Sequence, residues 1–308
     1  MNIAMTGASG FIGRHLTARL RQEGHSTRAI SLRSGLAPEA YLEDVFAGCD
    51  AVVHLAGEPV AQRWTSSAKQ RIRDSRVGGT RSVVQALAGL DRKPSVLVSA
   101  SAIGYYGSRG DEILTEDSTP ASDFLGEVVQ AWEREAREAV KLGVRVVLPR
   151  IGVVLGRASG TLQNGYGGAL QKMLLPFQLG VGGRIGSGKQ WMSWIHIDDL
   201  VALIAFALAS SSNNSALEGP VNLTAPNPVT NADFTHALAR AVHRPAIFPV
   251  PEFALKLLFG EMSSLLLGGQ RVIPEAAVRA GFTFRYSELD SALADLFGSH
   301  RTSGTPST

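Results

Sequence analysis

Eight residues near the start of this chain leave few folds open to it. Asn2–Thr6 (NIAMT) has the apolar character of a strand. Thr6-Gly7-Ala8-Ser9-Gly10-Phe11-Ile12-Gly13 joins it to Phe11–Gly24, where Ile12, Leu16 and Leu20 recur at helical spacing. Each glycine answers a different steric demand. Gly7 permits the tight turn, Gly10 lets the backbone approach a pyrophosphate, and Gly13 lets the helix pack on the sheet. The amides that open the helix then face an anion. The order strand, glycine loop, helix predicts a dinucleotide site built on Gly7, Ser9, Gly10, Phe11, Ile12 and Gly13.

The rest of the first half supplies the sheet such a site needs. Strand patterns at Thr27–Leu32, Ala51–Leu55, Val96–Ser101 and Val144–Leu148 alternate with helical patterns at Ala68–Leu90 and Ser122–Leu142. Strands alternating with helices imply right-handed crossovers, hence an α/β, Rossmann-type doubly wound parallel sheet. The second half is less regular. Gly152–Ser193 carries two GG pairs and reads as long loops with a short helix near Ala169–Leu175. Asp198–Ser211 reads as a helix with Asp198 as N-cap, and Val221–Thr224 as a late strand. Helices at Asn231–Val242 and Pro251–Leu267 point to a smaller C-terminal substrate lobe. The expected division is a cofactor domain over 1–155 and 195–225, a substrate lobe over 156–194 and 226–298, and a disordered tail over 299–308.

The second strand selects the nucleotide. A carboxylate closing that strand bonds a ribose 2′-hydroxyl, whereas here the chain reads Ser31-Leu32-Arg33-Ser34. A guanidinium there suits a 2′-phosphate through bidentate, charge-assisted bonds, so Arg33 with Ser31 or Ser34 predicts NADP(H). Other classes find little support. The 30 basic and 27 acidic residues are interspersed, which gives no footprint for nucleic acid or a membrane surface. The single cysteine, Cys49, forms no internal disulfide and fits a reducing, cytoplasmic setting. The start of the chain reads as structure rather than as a signal peptide. No His/Cys/carboxylate set has metal spacing, so no metal is expected.

Longer segments carry a family resemblance. The glycine loop, His54-Leu55-Ala56-Gly57 and Ser99–Gly107 together resemble the extended short-chain dehydrogenases/reductases. LAGEPV followed by Arg63-Trp64, Ser75-Arg76 to Thr80, Arg150–Arg157 (RIGVVLGR) and Leu174–Leu200 narrow this to the atypical "epimerase family" NADP-binding subgroup. The resemblance runs to about Phe297. It implies that Leu55 and Ala56 line the adenosine side, with Gly57 also in the cofactor set, that Arg76 reaches the cofactor, and that Val154 lies near the nicotinamide. It also implies a homodimer through the helices near 68–90 and 122–142.

The resemblance also exposes a departure. In the broad superfamily a Tyr-x-x-x-Lys pair on one helix face moves the proton. Here Phe124 and Val128 occupy those positions, and neither transfers a proton. Substitutes lie at the carboxyl end of the fourth strand, where Ser99 and Ser101 precede Gly104-Tyr105-Tyr106-Gly107. Ser101, Tyr105 and Tyr106 are the catalytic candidates, with packing of the loop as the alternative role of the tyrosines. Ser99 joins the cofactor set, while Gln190, Ser193 and Trp194 are candidates to face a small-molecule substrate. Glu116-Asp117 reads as a turn, His196 as a structural histidine and Trp132 as core. Gly186-Ser187-Gly188-Lys189 lacks the Ser/Thr and the preceding strand of a phosphate loop. Two functions stay open: an NADP(H)-dependent oxidoreductase or epimerase-like enzyme, and a non-catalytic NADP(H)-binding regulator.

Overall fold

The computed structural model describes residues 1–31, 39–158, 165–209 and 216–298. Its centre is a parallel sheet of β1 (Asn2–Thr6), β2 (Ser26–Ile30), β3 (Ala51–His54), β4 (Val96–Ser99), β7 (Arg145–Ile151) and β12 (Gly219–Leu223), in the order β2-β1-β3-β4-β7-β12. A short β5 (Ser101–Ala102) continues from β4 and keeps only its pairing with β7. The chain leaves β1 toward one edge and returns to the other side at β3. That reversal opens a crevice at the carboxyl ends of β1 and β3, where ligands bind in such sheets.

Alternation along the strands separates two cores. Ile3, Met5, Val53 and Val98 face Leu16 and Leu20 of α1 (Phe11–Gln22) and Leu200 and Ile204 of α6 (Ile197–Ala209). Ala4, Val52 and Leu97 face Leu42 and Phe46 of α2 (Glu39–Phe46), Leu87 of α3 (Ser66–Gly89) and Ala136 of α4 (Phe124–Arg137). A third core joins Leu170, Leu174 and Phe177 of α5 (Gly168–Gln178), Trp194, and apolar residues of α7 (Asn231–Ala241) and α11 (Leu289–Phe297).

Several expectations change in detail. Val96–Ser101 is two strands, both paired with β7, because pairing with β3 ends at Ser99. Gly152–Ser193 is more ordered than a loop: β8 (Val153–Arg157) pairs with β9 (Tyr166–Gly167) and with β11 (Trp194–His196). The glycines there are packing devices. A Cβ on Gly167 would lie 2.2 Å from the Phe11 ring, and one on Gly183 would lie 1.8 Å from the Phe248 carbonyl oxygen. Asp198 is not the N-cap, since α6 starts at Ile197; its amide donates to His196 Nδ1 at 3.2 Å. Pro251–Leu267 breaks at Gly260, whose φ of +58° ends α8 (Glu252–Phe259) before a 3-10 turn and a short α9 (Ser264–Leu267). Arg33, Leu32, Ser34 and the tail lie outside the described residues.

Candidate cofactor cradle and adjoining cavity

The glycine loop is set by close backbone approaches. Gly7 has φ +71°, and a Cβ there would stand 2.8 Å from the Ala56 amide nitrogen. Gly13 has no room for a side chain, as its Cβ would fall 2.2 Å from the Gly7 carbonyl oxygen. Gly10 is looser: its amide donates to the Gly7 carbonyl (3.0 Å), and a Cβ would meet only that oxygen, at 3.2 Å. Gly10 is also the N-cap of α1, and no side chain caps this helix. Its first amides are therefore left to an anion, and no acidic residue occupies the first turn. Ser9 is exposed, with its carbonyl accepting from Arg14 Nε (2.7 Å). The Phe11 ring packs over Gly156, Gly167 and Gly168, so this residue offers the site its amide.

The second wall is the segment after β3. The Leu55 and Ala56 amides donate to the Thr6 carbonyl (3.2 Å) and the Thr6 hydroxyl (3.3 Å). Across from Gly57 stands Arg76 of α3. Its guanidinium donates to the Glu58 carbonyl (2.9 Å) and the Ile72 carbonyl (3.3 Å) and lies over the Trp132 ring at 5.2 Å. It makes no ion pair among the described residues, and burial brings its pKa down to about 10. The nearby Glu58 carboxylate opposes that shift without forming an ion pair within 4 Å. Ser31 is exposed after β2, on the same side of the sheet. Val154 is buried in β8 beside Ile195.

A polar belt crosses the sheet at the carboxyl ends of its strands. Thr6 is in register with His54, His54 with Ser99, Ser101 with Arg150, and Arg150 with Asn222. Thr6 Oγ1 and His54 Nδ1 share a 2.6 Å hydrogen bond. Ser99 Oγ and His54 Nε2 are buried without partners. Burial alone lowers the His54 pKa to about 4. The folded value lies below the ordinary value of 6.5, so the unfolded chain binds the extra proton. The associated stability is present above pH 6.5 and is lost as the pH falls toward 4. Between pH 7.5 and 5 the expected loss is about 2 kcal/mol. Urea unfolding at the two pH values checks this, and His54→Gln should remove that part of the slope.

The three catalytic candidates meet at the other end of the belt, joined by residues that the motif reading did not single out. Ser101 Oγ donates to Glu133 Oε1 (2.6 Å). Arg150 grips the same carboxylate bidentately, Nε to Oε1 at 2.8 Å and Nη2 to Oε2 at 2.9 Å. Arg150 Nη1 donates to the Tyr106 hydroxyl (2.9 Å) and the Glu116 carbonyl (3.1 Å), and the Tyr106 hydroxyl donates to Asn222 Oδ1 (2.7 Å). Ser101, Tyr106, Glu133 and Arg150 are all buried. Burial lifts the Tyr106 phenol to about 12, against the opposing pull of Arg150. Tyr105 is half-buried, with its ring 3.5 Å from the Arg150 guanidinium carbon and edge-on to Tyr106. The signal for this network was an arginine within the apolar run Val146–Leu155: a cation in a buried strand needs a buried carboxylate, and Glu133 follows the core Trp132. Glu116, read as a turn residue, is a buried latch. Its Oε1 accepts the amides of Asn222 (2.9 Å) and Ala276 (3.2 Å).

The substrate candidates serve internal contacts. Trp194 is fully buried, with Nε1 donating to the Asn227 carbonyl (3.1 Å). Ser193 Oγ donates to the Gln270 carbonyl (2.7 Å) and accepts the Val272 amide (2.8 Å). Gln190 Nε2 donates to the carbonyls of Ile185 and Leu266, both at 3.1 Å. His196 lies between two carboxylates, 3.9 Å from Asp198 and 3.5 Å from Asp295, and ties β11 and α6 to α11.

A cavity of about 650 Å³ opens beside the belt. Gly104 and Gly107, Phe124 and Leu125 at the head of α4, and Trp64 line one side; residues of α8 and α9 and Gly268 line the other. Phe124 thus stands in the cavity wall, edge-on to Trp64 at 5.2 Å, while Val128 is buried one turn on.

Comparison with known proteins follows the same outline. The model for the NAD dependent epimerase/dehydratase family matches residues 3–222, and a domain of unknown function matches residues 250–296. The chain is 40% identical to the epimerase family protein YfhF of Bacillus subtilis, over 98% of this chain and 100% of that one. It is 41% identical to the chloroplastic SDR39U1 homolog of Arabidopsis thaliana, over 95% and 86% of the two chains. A crystal structure of human epimerase family protein SDR39U1 with NADPH superposes with a TM-score of 0.85 at 33% identity, covering 97% of this chain and 100% of that one.

Proposed function

Because this chain belongs to the NAD dependent epimerase/dehydratase family, we propose that it is an NADP(H)-dependent oxidoreductase acting on a small molecule held in the cavity beside the polar belt. The residues fit the cofactor. The uncapped start of α1 receives the pyrophosphate over Gly10 to Gly13, with Ser9 at its rim. Leu55, Ala56 and Gly57 border the adenosine side, Arg76 supplies a half-buried positive charge, and Ser31 and Arg33 take the 2′-phosphate. Ser99 and Val154 border the nicotinamide end. The cofactor supplies hydride chemistry when bound. The observation that carries this reading is the juxtaposition of an anion cradle, a partly desolvated Arg76 and a cavity at the carboxyl ends of the strands.

For Ser101 and Tyr106 the burial and the bonds to Glu133, Arg150 and Asn222 favour positioning over proton transfer. They hold the Gly104–Gly107 segment that floors the cavity, and Tyr105 packs on the same guanidinium.

Arg76→Met is expected to weaken NADPH and NADH binding alike, by about 1.5–3 kcal/mol or roughly 10- to 150-fold. The stability of the apo-protein should stay within about 1 kcal/mol, because a half-buried cation without an ion pair is removed. Calorimetry and urea unfolding read the two effects. The function itself is tested by following reduced-nicotinamide absorbance with a panel of carbonyl compounds. Consumption with at least one compound is expected. Binding of NADPH with no consumption would place the protein among non-catalytic cofactor-binding regulators.

A further inference from the structure

The cavity wall has a chemistry of its own. We infer that it takes a planar, uncharged, largely apolar molecule and excludes nucleoside diphosphates; this rests on the oxidoreductase reading and names the substrate class of the same cavity. Among the described residues, three carboxylates line it, Asp123, Glu252 and Glu261, against one ammonium, Lys256, and no arginine. A diphosphate needs cations to grip it, and this lining is acidic on balance. Lys256 lies 3.9 Å from Glu252, and the nearby Lys69 is paired with Glu261. Arg63 is exposed beside Gly260, outside the lining.

The carboxylates are equally engaged. Asp123 caps α4 through the Gly126 amide (2.8 Å), and the other two carry the ion pairs just named. A cationic ligand would have to displace these contacts. What remains unmatched is apolar and flat. Trp64 and Phe124 meet edge-on to form an aromatic wall, and Leu125, Leu265 and Leu267 add aliphatic surface. Gly104 and Gly107 present bare backbone, and Gly107 is held at φ +65°, where a side chain is strained. An aromatic wall beside bare backbone, with the α9 leucines across from it, favours an apolar ring system.

The probes are 2-methyl-1,4-naphthoquinone and UDP-glucose, titrated by calorimetry into the NADP⁺-loaded protein and into its Trp64→Ala and Lys256→Ala variants. The expected result is saturable binding of the quinone, weakened at least threefold by Trp64→Ala and unmoved by Lys256→Ala, with no saturable heat from UDP-glucose. Tighter binding of UDP-glucose than of the quinone, or quinone binding indifferent to Trp64→Ala, overturns the inference. Failure of the oxidoreductase reading shows separately: the quinone then binds as described while no compound consumes NADPH. UDP-glucose binding together with NADPH consumption by a sugar overturns the inference and leaves the oxidoreductase reading standing.

Discussion

Arg150→Met should destabilise the protein by about 3–5 kcal/mol, the cost of stranding a buried charge. Methionine fills much of the arginine's volume, so the effect is electrostatic rather than a cavity. Four hydrogen bonds are lost: two to Glu133 and one each to the Tyr106 hydroxyl and the Glu116 carbonyl. Glu133 then keeps only Ser101 and the half-exposed Arg137, 3.5 Å away. Burial by itself would lower the Arg150 pKa, yet the Glu133 and Tyr106 contacts outweigh it and raise it; the cation therefore stays charged at any working pH. Urea unfolding measures the loss. Arg150→Met with Glu133→Leu should recover much of it, because removing both charges costs less than removing one. A single variant as stable as the parent would show that the pair holds nothing together.

The second large effect is expected at Gly13. Alanine places a Cβ 2.2 Å from the Gly7 carbonyl oxygen and 2.7 Å from the Ala8 Cα, and both are backbone atoms with no rotamer to yield. The start of α1 must back away from the loop. Overpacking of this kind typically costs about 1–3 kcal/mol. Because the displaced atoms are the anion cradle itself, the loss should appear as roughly 5- to 150-fold weaker NADPH binding. Gly10→Ala, whose Cβ meets only one atom at 3.2 Å, serves as the milder comparison for apo-protein folding. Calorimetry on both variants, with circular dichroism to confirm the fold, checks the contrast.

How far the sequence was legible depends on the kind of signal each element carries. β1, α1 and the central strands announce themselves by periodicity, and the glycine loop by spacing, because local geometry decides them. α2 was missed, although Leu42 and Phe46 are an i, i+4 pair and both are buried. Glycines misled where they make room for a distant partner: Gly167 and Gly168 accept the Phe11 ring, so a glycine-rich stretch became a strand and a helix start. The glycine loop, Leu55 to Gly57 and Ser99 lie near one another because they follow or end adjacent strands of one sheet. The belt of Ser101, Glu133, Arg150 and Asn222 was harder to read. Its members come from four elements, and only the β5-β7-β12 register and the packing of α4 bring them together. Ser193 and Trp194 sit in a distinctive segment, yet a polar or aromatic residue there serves a latch or a core as readily as a ligand.

Everything assigned to the cavity presupposes the nucleotide seated over α1, so titration of the apo-protein with NADPH and, in parallel, with NADH is the most direct measurement. One saturable site per chain is expected, with NADPH tighter by about 1.5–3 kcal/mol through its 2′-phosphate and with that preference abolished by Arg33→Asp. No saturable heat with either nucleotide, or equal affinity for both, would contradict the assignment.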